Sequence, residues 1–202
     1  MTRTLMPKLA VVILLVTTIN EGLAQCHSQD SNDQKLEVLN QPLDRSNHEA
    51  VECAFALMDD LSRGGDQRVL PVLIRNLDLE QTKPIFFNIN RHPTYPYPAI
   101  ANLAGFGEKA EPLLLDVIAR AAPGWSRQIE NAIKAVMLSP RRDPTEGIRI
   151  LLRRADQEQG QAAANMIEAA KYAVSLCGYK EQACEDMIWP RRLRTLSHPA
   201  PK

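Results

Sequence analysis

Apolar residues recur at helical spacing from Asn47 to Trp189, and this periodicity constrains the fold more than any other feature of the chain. At about 100° per residue, Ala50, Val51, Cys53, Ala54, Phe55, Leu57, Met58 and Leu61 fall in one continuous arc. Glu49, Glu52, Asp59, Asp60 and Arg63 occupy the remainder. The arc spans roughly 200°, so this helix needs neighbours on two sides. Gly64 and Gly65 end it by admitting left-handed backbone. Asp66 then caps a second helix carrying Val69, Leu70, Val72, Leu73, Ile74 and Leu77, whose regular start Pro71 delays or kinks.

The pattern repeats. Pro98 starts a short helix with Ile100 and Leu103, broken at Gly105-Phe106-Gly107, and a second helix runs from about Glu108 to Arg120. Pro71 and Pro112 stand 41 residues apart, each followed by three aliphatics. A third pair starts at Ser126, with Ile129, Ile133, Val136 and Met137 on one face. Its partner starts at Asp143-Pro144-Thr145-Glu146, a cap with proline in the first turn and a carboxylate placed to reach back. Ile148, Leu151, Leu152 and Ala155 form the core stripe of that partner. A long alanine-rich helix follows from about Gln161 to Cys177, and Lys180 to Trp189 folds back as a cap.

These stretches, Gly65 to Ile74 and Ala99 to Ile118 above all, resemble degenerate HEAT repeats, which are antiparallel helix pairs stacked into a solenoid. The resemblance covers about residues 49–156. It departs from the pattern in an insertion of about twenty residues, Asp78 to Tyr97, and in a third pair without the turn glycines. It implies an all-α, right-handed stack of about three helix pairs plus a C-terminal capping helix. It also implies a binding or scaffolding surface, and brings no catalytic set with it.

The first 24 residues read as a secretory signal: Arg3 and Lys8, then apolar Leu9 to Val16, then Gly22-Leu23-Ala24 before the cut. The apolar run is about half of the ~20 residues a spanning helix needs. Residues 25–46 are expected to be a disordered linker, 47–189 the helical domain and 190–202 a disordered basic tail. The expected location is therefore exported, either secreted or periplasmic. Leu23-Ala24-Gln25-Cys26 resembles a lipoprotein box, but Gln25 stands where a small residue belongs. Membrane attachment is expected only if Cys26 is lipidated or the signal stays uncleaved. His27 at the third mature position suits a square-planar copper or nickel site, which cyclisation of Gln25 would remove.

Four cysteines in such a chain allow two disulfides. Cys177 and Cys184 flank six residues across the expected turn Gly178-Tyr179, which makes them the preferred pair; Cys26 with Cys53 follows by elimination. No CxxC pair exists and the four histidines (His27, His48, His92, His198) are scattered, so neither a metal centre nor a cofactor is expected. No GxSxG, HExxH, Walker or dinucleotide fingerprint appears.

Formal charge is balanced, with 24 basic and 24 acidic residues, which argues against a nucleic-acid partner. Beyond the signal, residues 25–64 carry net −5, residues 65–140 net +1 and residues 141–202 net +3. Arg141, Arg142, Arg149, Arg153 and Arg154 form a basic strip that reads as a solvated helix face.

Aromatic residues make up only 5% of the chain, and the segment Phe86 to Pro98 holds two of the four Phe and two of the four Tyr. Arg91, His92, Tyr95 and Tyr97 are the candidate partner-binding residues there, since stiff tyrosines bind at low entropy cost. The competing role for this loop is to seal the edge of the helix stack. The leading functional expectation is a non-catalytic protein that binds an unidentified protein or peptide, in an oligomeric state the sequence leaves open. The alternative is an accessory helical domain or an enzyme with a site near residues 86–98, using His48, His92 and nearby carboxylates.

Overall fold

The computed structural model describes residues 26, 30–81, 96–122, 124–139 and 143–188. Among these residues every regular element is helical and there are no strands. In chain order the elements are α1 (Asn32–Asn40), α2 (His48–Arg63), α3 (Leu70–Arg75), α4 (Pro98–Phe106) and α5 (Glu111–Ala119). They continue with α6 (Arg127–Leu138), α7 (Pro144–Gln157) and α8 (Gly160–Val174). Residues 181–188 form a last helical stretch.

The wide apolar arc of α2 is buried at every position named from its periodicity, Ala50 through Leu61. Asn47 caps it, its side chain accepting from the backbone amides of Glu49 and Ala50. At its end Gly65 takes φ +70°, which a side chain would strain. Asp66 caps a short 3-10 turn, Gln67–Val69, and only then does α3 begin, with Pro71 in its first turn. Proline has thus delayed the regular helix rather than kinked it.

The segment expected to be a linker contains α1. Ser31 accepts from the amide of Gln34 while the Gln34 side chain accepts from the Ser31 amide, a reciprocal capping box. Leu36 and Leu39 are buried, and α1 packs on α2. The polar composition of residues 27–34 obscures this helix because its apolar contribution is small, two buried leucines and the half-buried Val38. Lys35 lays its stem along the same contact and ends on Asp60, 2.5 Å away.

Cys26 is joined to Cys53 of α2, and Cys177 to Cys184. A sulfur held in a disulfide has no valence for a lipid thioether, so the Cys26 bridge and lipidation exclude each other. The second bridge ties the end of α8 to residues 181–188. No helix among the described residues is long and apolar enough to cross a membrane.

Among the helices, α2 packs on α4, α3 on α4 and α5, and α4 and α5 both on α6. Beyond that point, α5 meets α8 directly, and α7 lies against α6 and, more extensively, α8. A single apolar cluster runs from Leu36 to Ile188. Asp143 caps α7 by accepting from Thr145, but the Glu146 carboxylate does not reach back to the cap. It pairs with Arg149 at 2.9 Å and Arg153 at 3.6 Å instead. Arg154 meets Asp116 of α5 at 2.8 Å and Glu158 at 2.6 Å. The described part of the basic strip is therefore locally neutralised.

Candidate functional site

The described ends of the segment between α3 and α4, residues 76–81 and 96–97, meet each other. The Gln81 amide donates to the Pro96 carbonyl at 2.8 Å, which brings the entry and exit of residues 82–95 together. Tyr97 is 6% exposed, and its hydroxyl donates to Glu80 Oε1 at 2.5 Å. Burial and then the Glu80 contact push the Tyr97 phenol above its ordinary pKa. The Arg127 guanidinium lies over the Tyr97 ring, 5.8 Å from its centroid, a cation–π distance.

Helix α6 braces this base from the side. Asn131, fully buried, donates its amide to the Leu77 carbonyl at 2.8 Å, and Gln128 donates to the Ile74 carbonyl at 3.0 Å. These side chains, one turn apart on α6, reach carbonyls at and just beyond the end of α3; the Ile74 carbonyl also accepts from the Leu77 amide at 3.4 Å. On the other side, Arg45 donates to Asp78 at 3.0 Å, and Arg75 donates to the Leu39 carbonyl at 2.7 Å.

Next to this base, between α1, the α1–α2 connection, α2 and the end of α3, lies a cavity of about 390 Å³. Leu39, Pro42, Leu43, Ala50 and Ala54 supply apolar lining, and Cys53 places the first disulfide at its wall. Arg45 and Arg75 stand among the lining with exposed side chains. The arrangement offers an apolar floor with guanidinium donors beside it, held in position by backbone carbonyls and Asp78.

Of the residues singled out from the sequence, Tyr97 anchors the loop base through buried contacts. Arg91, His92 and Tyr95 lie outside the described residues, as do His27 and the tail from residue 189. His48 is the exposed first residue of α2. Among the described residues no three metal-ligating side chains converge. Sequence reasoning missed the cavity and the α6 brace. The brace left one trace, a polar Asn131 set in the apolar face of α6 between Ile129 and Ala132.

No protein-family model, curated protein or solved structure matches the chain. The functional reading therefore rests on the molecule's own geometry.

Proposed function

We propose that this chain is an exported, non-catalytic helical-repeat protein that binds a protein or peptide. In this reading the pairs α2/α3, α4/α5 and α6/α7 are HEAT-like repeats in a right-handed solenoid, closed at the end by α8 and residues 181–188. The packing of α2 on α4 and α3 on α5 supports that stacking. The two disulfides suit an oxidising compartment.

The observation that carries the binding role is the half-enclosed cavity with Arg45 and Arg75 beside the braced loop base. An apolar floor with neighbouring guanidiniums suits a segment that carries an apolar side chain next to a carboxylate. The test compares affinity purification by the secreted chain from Gln25 onward with that by two variants. One is Ala54→Leu, which fills the cavity, and the other is the triple Arg91→Ala, His92→Ala, Tyr95→Ala. A specific partner lost by either variant at unchanged melting temperature supports the reading. Identical partners retained by both variants overturn it.

A further inference from the structure

A second recess lies away from the loop base, where α5, α6 and α8 meet. Its volume is about 200 Å³, below the range of cavities that take drug-sized ligands and large enough for a single ring. Trp125 lines it and is 44% exposed. The indole is held by the Tyr172 ring of α8, with centroids 5.4 Å apart and planes at 42°, within the range of favourable aromatic pairs. Small residues keep the space beside it open: Ala121, Ala122 and Gly124 all line the recess.

Helix α8 presents Gln161, Asn165 and Glu168 to the same recess, at positions i, i+4 and i+7 of one helix face. Asn165 is fixed, donating to the Ala119 and Ala121 carbonyls at 3.0 and 2.9 Å. Its own oxygen accepts from Gln161 at 2.8 Å, so these two side chains are set before any ligand arrives. The charges around it are balanced. Glu168 is paired with Lys171, and Glu130 with Arg127 at 3.3 Å.

We propose that this recess binds one neutral pyranose ring of a saccharide, stacked on Trp125 and hydrogen-bonded along its edge by Gln161 and Glu168. A pyranose has a C–H face that suits an aromatic surface and a rim of hydroxyls that both donate and accept. The planar amide and carboxylate supply the matching donors and acceptors. A cationic ligand is disfavoured because both nearby carboxylates already hold cations, and a proline ring would leave the polar row unmet.

The test uses the full secreted chain with Trp189→Phe, so that Trp125 is the one remaining tryptophan. Maltose, cellobiose and N,N′-diacetylchitobiose are titrated while Trp125 emission and saturation-transfer NMR of the sugar are followed. At least one disaccharide should give a saturable emission change and transfer to its ring protons. Affinity should fall at least about tenfold in Glu168→Ala and in Ala122→Leu, which fills the recess. Both variants should keep the parent melting temperature; Gln161→Ala repeats the test if either does not. The proposal is overturned if none of the three sugars shows transfer. It is equally overturned if their binding survives folded recess variants, or if tetramethylammonium or a diproline peptide saturates Trp125 where the sugars do not.

Discussion

Asn131→Ala probes the brace behind the loop base. Asn131 is fully buried and its amide meets the Leu77 carbonyl at 2.8 Å. Alanine removes the donor and leaves a buried acceptor facing apolar surroundings. The unmet carbonyl alone costs about 1–3 kcal/mol, and the vacated side-chain volume adds to it. A loss of about 2–3 kcal/mol is expected, which for a domain of this size lowers the melting temperature by about 4–12 °C. Asn131→Asp keeps the shape but sets an acceptor against an acceptor, so it should destabilise at least as much near neutral pH. Urea unfolding followed by circular dichroism measures the global term, and amide exchange at Gln81 reads the loop base, because that amide closes onto Pro96. A change in stability below about 0.5 kcal/mol, the range of ordinary surface substitutions, would refute the argument and mean that the Leu77 carbonyl finds another donor.

Gly147→Ala should destabilise although alanine favours helix by about 1 kcal/mol. Its Cβ would lie 3.3 Å from Met137 Cα and press on the Met137 sulfur, an overpacking worth about 1–3 kcal/mol; in a Met137→Ala background the penalty should shrink, because only the backbone contact remains. Replacing each disulfide by an alanine pair should cost about 3.5 kcal/mol for Cys26–Cys53 and about 2.5 for Cys177–Cys184 in the chain-entropy relation. Their separations are 27 and 7 residues, and a larger loss from the shorter loop in urea titrations would contradict that ordering. Hydrogen bonds from the Arg68 side chain hold the Asp66 carboxyl at about 2, against an ordinary 3.8. Because the folded value is the lower one, this stabilisation is complete above the ordinary carboxylate range and is lost as pH falls towards 2. Asp66→Asn should therefore flatten the acid limb of the stability–pH curve between about pH 4 and 2.

How far the sequence carried can be argued from particular elements. Periodicity located the buried face of α2 residue by residue, because eight of its nine apolar side chains, all but Ala56, share one arc and leave one way to turn the helix. Proline placed the starts of α4 and α7 and the delayed start of α3, since its backbone restriction acts locally; α5, expected from about Glu108, begins at Glu111 after a 3-10 turn over Gly107–Lys109. The α1 helix was not legible, because its two core leucines are outnumbered by polar residues and its capping box spans only Ser31 to Gln34. The packing of α8 on α5 was hidden for a different reason. An alanine face fits many neighbours, and nothing in its spacing names one. The site was the least legible part. Tyr97 could be marked as unusual from sequence, but its burial against Glu80 and Arg127 depends on residues 17 positions before it and 30 after it.

The closed base of residues 82–95 also bears on how such a chain can diversify. Both ends of the segment are fixed by contacts that belong to the scaffold: Gln81 with Pro96, Glu80 with Tyr97, and α6 behind them. Loop-closure entropy rises only by about 0.6 kcal/mol for each doubling of length. The scaffold therefore works as a socket: a change of length between the two pins costs little in closure entropy, and the pins hold α3 and α4 in register across it.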